Sequence, residues 1–181
     1  TPSLSGLVGS EMCIRDRIWI DHPHWVSMEA RAANSEGKGS VTLTDLVRQC
    51  LRMRPDRIVL GEVRGAELRD LLMALNTGHE GGCGTVHANG VAEVPARLEA
   101  LAALDGVSRE AASAQITAAL HTVIHVERGE RGRRVAEIGV FVDVEGRAVV
   151  LPAVRWDADG VMTLGDGAER LSQLLGMEVA R

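Results

Sequence analysis

Glu62 stands just past a short apolar run, Ile58-Val59-Leu60, and is followed two residues later by Arg64. An uninterrupted run of this kind suits a strand buried on both faces of a parallel sheet. In an open parallel sheet, ligands bind beyond the carboxyl ends of the strands. A carboxylate at that point could orient or deprotonate a water and help to hold Mg²⁺ beside a terminal phosphate. By itself the pattern has low specificity, because many buried strands end in an acid. Further on, His79, Cys83 and His87 recur every fourth residue, and Asp21, His22 and His24 lie upstream. These residue types can bind zinc, but the spacing lacks a Cys-x2-Cys framework, and Gly81, Gly82 and Gly84 make the segment a flexible turn. His121 and His125 flank an expected strand and read as satisfied core histidines. Arg48, Arg52, Arg54 and Arg57 crowd the approach to the apolar run. Such arginines can stabilise charge on a neighbouring subunit's nucleotide, or simply form a solvated face with Arg48 paired to Asp45.

These side chains need a scaffold, and the pattern supplies one. Residues 18–32 read as extended, with Pro23 arguing against a central strand. Asn34 to Ser40 is a polar, glycine-containing loop. Thr42 and Asp45 have capping-box spacing, and Leu43, Leu46, Val47, Cys50 and Leu51 then share one helical face. Pro55 ends that helix. Arg57–Val63 reads as the buried strand. Gly65 opens a second helix in which Leu68, Leu71, Leu72 and Leu75 fall at i, i+3, i+4 and i+7, with Gly78 as its C-cap. Thr85-Val86-His87 reads as another short strand. Two alanine-rich helices follow, over 91–104 and 108–120, with Ser108 as an N-cap. Thr122–Val126, Arg134–Val142 and Arg147–Val154 read as an antiparallel meander, 157–167 as a loop and 168–177 as a terminal helix.

Composition limits the function classes. The chain has 181 residues and a formal charge of −5, which suits one globular domain and disfavours a generic nucleic-acid binder. One Phe, three Trp and no Tyr leave no aromatic platform for stacking bases. Lys38 is the single lysine among the basic residues. Three cysteines do not make a disulfide scaffold in a chain of this length. No apolar run approaches a membrane span, and there is no secretory-signal pattern. Residues 1–17 show neither helical nor strand periodicity. Glu11 to Asp16 resembles the translation of a transposon end used in preparing sequencing libraries, so 1–17 reads as an artefactual or disordered leader. The start at Thr1 rather than Met reads as a fragment.

Residues 41–89 as a block, VTLTDLVRQCLRMRPDRIVLGEVRGAELRDLLMALNTGHEGGCGTVHAN, resemble the secretion-type traffic ATPases of type II and type IV secretion, conjugation and pilus assembly. The resemblance is strongest to the tight-adherence (Flp) pilus and conjugal-transfer branch. RMRPDRIVLGEVRG matches that family's Walker B segment and TGHEGGCGTVHAN its histidine box. The approach DHPHWVSMEARAANSEGKGSVTL also matches, and the likeness continues more weakly to about Val142. It implies an α/β fold: the C-terminal half of a RecA-like P-loop NTPase domain, a mainly parallel sheet flanked by helices, with a small antiparallel extension and a terminal helix. The motor portion would span 18–142 and the extension 143–181. Carried over by position, Glu62 would activate water and place Mg²⁺ through a water. His79 and His87 would meet the phosphate end of ATP. Arg64 would join an ion-pair network, and Arg54 and Arg57 would be interface or nucleotide-binding residues.

The same family places a Walker A loop upstream, and no G-x-x-x-x-G-K-[ST] occurs in this chain. Lys38 is followed by glycine, in Glu36-Gly37-Lys38-Gly39-Ser40, and no strand precedes it, so it cannot serve. The family's acidic segment would stand where residues 1–17 are. The expected function is therefore part of a homo-hexameric ATPase using ATP and Mg²⁺, cytoplasmic, docked on an inner-membrane secretion or pilus platform at the inner face of the membrane, and not binding nucleic acid directly. The isolated chain is expected to be inactive. Alternatives are a non-catalytic partner of intact subunits and another RecA-like, nucleic-acid-dependent ATPase.

Overall fold

The computed structural model describes residues 11–14, 21–79, 81–129 and 132–177. The chain divides into two compact units, Thr1–Val86 and His87–Arg181.

The first unit is built on a four-stranded, all-parallel sheet in the order β2-β1-β3-β4. Its strands are β1 (Glu11–Ile14), β2 (Trp25–Met28), β3 (Arg57–Leu60) and β4 (Cys83–Gly84). The expectation for Arg57–Val63 is met over its first four residues. Ile58, Val59 and Leu60 are buried, as a strand covered on both faces requires. β2 lies at the sheet edge, which accommodates Pro23 just before it. β1 lies inside the 1–17 stretch set aside in the sequence reading, and pairs between β2 and β3. Four residues are too few to show a period. The rest of that stretch lies outside the described residues.

Helix α1 (Leu43–Arg52) has the expected capping box. The Thr42 hydroxyl accepts the Asp45 amide at 3.1 Å, and the Asp45 carboxylate accepts the Thr42 amide at 3.0 Å. Leu46, Val47 and Cys50 form its buried face. The helix ends before Pro55, through Met53 as C-cap and Arg54 at φ +51°. Helix α2 (Glu67–Leu75) buries all four leucines of the expected stripe. Its C-cap is Asn76 rather than Gly78, which takes φ +98° two residues later. Arg48 pairs across to Asp70 of α2 at 3.2 Å, while its charge acts on Asp45 only as a lesser influence beside the cap hydrogen bonds.

Strand β4 begins two residues before the expected Thr85. The reason is local. A Cβ on Gly82 would lie 2.8 Å from the Ile58 carbonyl oxygen, so only glycine lets the chain come this close to β3. Pairing therefore starts immediately after it, at Val59↔Cys83.

The second unit carries a 3-10 turn (Val91–Glu93), helices α3 (Val94–Leu104) and α4 (Arg109–Ala119), and an antiparallel sheet. Ser108 caps α4 by accepting the Ala111 amide at 3.3 Å. The sheet is a meander in the order β5-β6-β7-β8: β5 (Thr122–Gly129), β6 (Gly132–Val144), β7 (Arg147–Trp156) and β8 (Met162–Leu164). β8 occupies part of the expected 157–167 loop. It pairs with β7 from Val154↔Leu164 to Trp156↔Met162. The expected 142/143 boundary falls inside β6, within one continuous sheet. α5 (Ala168–Leu175) closes the chain near the expected position. His121 is exposed just before β5. His125 is half-buried opposite Glu137 on β6, so neither is a core histidine.

Candidate functional site

The parallel β3-α2-β4 unit gives the first sheet a carboxyl edge and an amino edge, and the candidate residues divide between them. Glu62 lies two residues past the end of β3, on the carboxyl edge. Its side chain is 13% exposed and forms an ion pair through Oε1 with Arg64 Nε, whose side chain is 61% exposed. The hydrogen bond to Glu62, reinforced by its negative charge, pushes the Arg64 guanidinium further up from its already high ordinary pKa. The pair is a carboxylate held mostly out of solvent by a cation that solvent can reach.

The loop carrying this pair is tied to its neighbours. The Thr85 hydroxyl, one residue past β4, donates to the Gly61 carbonyl at 2.5 Å. The Thr85 carbonyl accepts the Val63 amide at 2.8 Å, and the Thr85 amide donates to the Leu60 carbonyl at 3.3 Å. At the start of α2, the buried Glu67 carboxylate accepts the Arg64 amide at 2.5 Å and the Gly65 amide at 2.9 Å. Glu67 and Thr85 are absent from the sequence-derived site. Their available signals are an acid at the first position of a helix, where the dipole favours it, and a hydroxyl just after a strand.

His79, Arg57 and Arg54 lie at the other edge. His79 is half-buried beyond the end of α2, with Nδ1 3.3 Å from the Ala74 carbonyl oxygen. The turn after it reaches the start of β3: a Cβ on Gly81 would lie 3.7 Å from the Arg57 guanidinium carbon. Arg54 is exposed, three residues before β3. A four-residue strand, about 13 Å long, separates this edge from the one bearing Glu62. The first unit thus brings Glu62 and Arg64 together and keeps His79, Arg54 and Arg57 apart from them. His87 is the first residue of the second unit and is exposed.

The chemistry of the carboxyl edge fits a Mg²⁺–nucleotide only in part. Mg²⁺ keeps several waters and needs few protein carboxylates, so a single shielded Glu62 suits a contact through water. No lysine stands near the edge in sequence to reach the β- and γ-phosphates. Among the described residues, no group of three or more His, Cys, Asp or Glu side chains could hold a metal ion. The His22 ring nitrogen accepts the His24 amide at 3.2 Å.

Comparison with known proteins supplies the family. Residues 12–162 match the model of the Type II/IV secretion system protein family. The chain belongs to that family. A Mycobacterium tuberculosis protein named as a conjugal transfer protein is 54% identical over 167 residues, covering 91% of this chain and 46% of the relative. The conjugal transfer protein TrbB of Rhizobium radiobacter is 38% identical over 107 residues, covering 59% of this chain and 32% of the relative. Among solved structures, the VirB11 ATPase of the Brucella suis type IV secretion system, in complex with sulphate, superposes with a TM-score of 0.60 at 26% identity, covering 72% of this chain and 40% of that one. The chain spans less than half the length of these relatives. Its mixed α/β fold is that of the secretion ATPases. Among the described residues, no helix is long and apolar enough to cross a membrane.

Proposed function

We propose that this chain is the second half of a RecA-like motor domain that hydrolyses ATP to power conjugal transfer, type II or IV secretion, or pilus assembly. The observation that carries the reading is Glu62 at the carboxyl edge of a buried parallel strand, shielded and held by Arg64. When bound, Mg²⁺ and ATP supply the polarised terminal phosphate. Glu62 would orient the attacking water and accept its proton, and would help to hold Mg²⁺. His87, three residues past β4, meets the phosphate end.

The two-edge arrangement favours division of labour between copies in a hexamer. His79, Arg54 and Arg57 lie a strand's length from Glu62, too far to touch the phosphate that Glu62 serves. In this reading they reach the nucleotide of an adjacent copy, where arginine stabilises the charge of the transferring phosphoryl group. The hexamer sits on an inner-membrane platform at the cytoplasmic face, and the −5 charge favours a protein partner over nucleic acid.

A Walker A loop is missing from the 181 residues, so the chain alone does not turn over ATP. A second reading is a non-catalytic partner that assembles with intact subunits. Fusing the chain behind the part of the Mycobacterium tuberculosis relative that the match leaves uncovered distinguishes the two. The motor reading expects Mg²⁺-dependent phosphate release from the fusion, lost in Glu62→Gln. A folded, nucleotide-binding fusion with no release, or with release unaffected by Glu62→Gln, rejects it.

A further inference from the structure

We propose that Glu67 is a positioning residue which, with Thr85, sets the aim of Glu62. The proposal rests on Glu62 being the acid that meets the nucleotide. Loop 61–66 joins β3 to α2 and carries both members of the Glu62–Arg64 pair. Left to itself such a loop samples many conformations, and the pair would not hold one direction. Here its backbone is tied at both ends, by the hydroxyl and main chain of Thr85 and by the side chain of Glu67. Thr85 takes the β3 end, through its hydroxyl to the Gly61 carbonyl and its own carbonyl to the Val63 amide. Glu67 takes the α2 end, with one oxygen accepting both the Arg64 and Gly65 amides.

The choice of a carboxylate is informative. Glu67 is 7% exposed, and burying a charge is costly unless it is compensated. The compensation is those two amides and the positive end of α2. A charged acceptor holds an amide roughly twice as strongly as a neutral one. Fixing the Arg64 backbone fixes the origin of a long, 61% exposed side chain that must fold back onto Glu62. The order of action runs from Glu67 through the Arg64 main chain and guanidinium to the Glu62 carboxylate. Glu67 itself touches neither nucleotide nor water in this scheme.

Hydrogen exchange in the intact 181-residue chain, read from nitrogen–proton correlation spectra, tests the idea without ATP turnover. Its outcome is therefore separable from the fate of the catalytic reading of Glu62. In Glu67→Ala, exchange of the Arg64 and Gly65 amides and of the Arg64 Nε–H should accelerate about tenfold, the loss of a hydrogen bond to a charged group. The Ile58, Val59 and Leu60 amides should keep their wild-type protection. Glu67→Gln, which can still accept both amides but as a neutral acceptor, should recover part of the Arg64 Nε–H protection. If Glu67→Ala does not fold, Thr85→Val decides the matter, since it removes one exposed hydroxyl and should release the same Nε–H signal. An Arg64 Nε–H that exchanges at the wild-type rate in Glu67→Ala, or in Thr85→Val where Glu67→Ala does not fold, overturns the proposal. So does a Glu67→Gln chain that behaves like Glu67→Ala.

Discussion

The two edges of the parallel sheet are built by different means. The carboxyl edge is held by hydrogen bonds that tie a loop: the Thr85 hydroxyl on Gly61 and its main-chain carbonyl on Val63, the Glu67 carboxylate on Arg64 and Gly65. The amino edge is held by the lack of a side chain, where Gly82 lets the turn after α2 lie against the Ile58 carbonyl. The contrast suits the proposed chemistry. A carboxylate that must aim at one water needs a fixed loop, whereas cations reaching another copy need only a firm base. It also separates residues that lie close together in sequence, since Arg57 and Glu62 are five residues apart yet sit at opposite ends of β3.

The comparison can be broken in several ways, taken from the largest expected effect downward. Glu62→Gln in the fusion should lower ATP turnover by about a thousandfold, on the order of 4 kcal/mol, the scale for losing a preorganised group at the reacting centre. Its unfolding midpoint should scarcely move. At the amino edge the pattern should invert. Gly82→Ala forces a methyl against backbone and the Leu75 side chain, and should cost about 1–3 kcal/mol in urea unfolding of the 181-residue chain. A stability loss below a few tenths would show that the close approach is not needed. Thr85→Val should cost about 1 kcal/mol in the same measurement, one net hydrogen bond.

The α1 cap gives the smallest effect and a pH signature remote from both edges. Hydrogen bonds from Thr42, first side chain and then backbone, hold the Asp45 carboxyl below its ordinary pKa of 3.8. A carboxyl with a depressed folded pKa stabilises fully above the unfolded value and loses that contribution as pH falls through the folded one. Acid titration of the urea midpoint should therefore show less loss below pH 3.8 in Asp45→Asn than in wild type. Equal acid sensitivity of the two would remove the capping box from the account.

Much of this was legible in the residues because it is local. Thr42 and Asp45 announce α1, and the Leu68, Leu71, Leu72 and Leu75 stripe announces α2, since capping and amphipathic periods need no knowledge of the rest of the chain. The acid after Ile58-Val59-Leu60 was legible for the same reason. What escaped is tertiary. Cys83–Gly84 has weak strand propensity and becomes β4 only because Gly82 fits against Ile58. Met162–Leu164 is too short to show alternation and is drawn into the sheet by β7. Glu67 reads as one more acid at a helix start until the amides it accepts are seen. His79, expected beside Glu62 from its motif, lies at the opposite edge, because a helix crossing between parallel strands carries the chain from one end of the sheet to the other.

Mixing inactive chains tests the division between edges most directly. One fusion carries Glu62→Gln and the other carries Arg54→Ala with Arg57→Ala, each purified alone and then co-assembled. If Glu62 serves its own copy's nucleotide and the arginines serve a neighbour's, phosphate release should reappear in the mixture. A mixture as inactive as its components, despite proven co-assembly, would contradict the account.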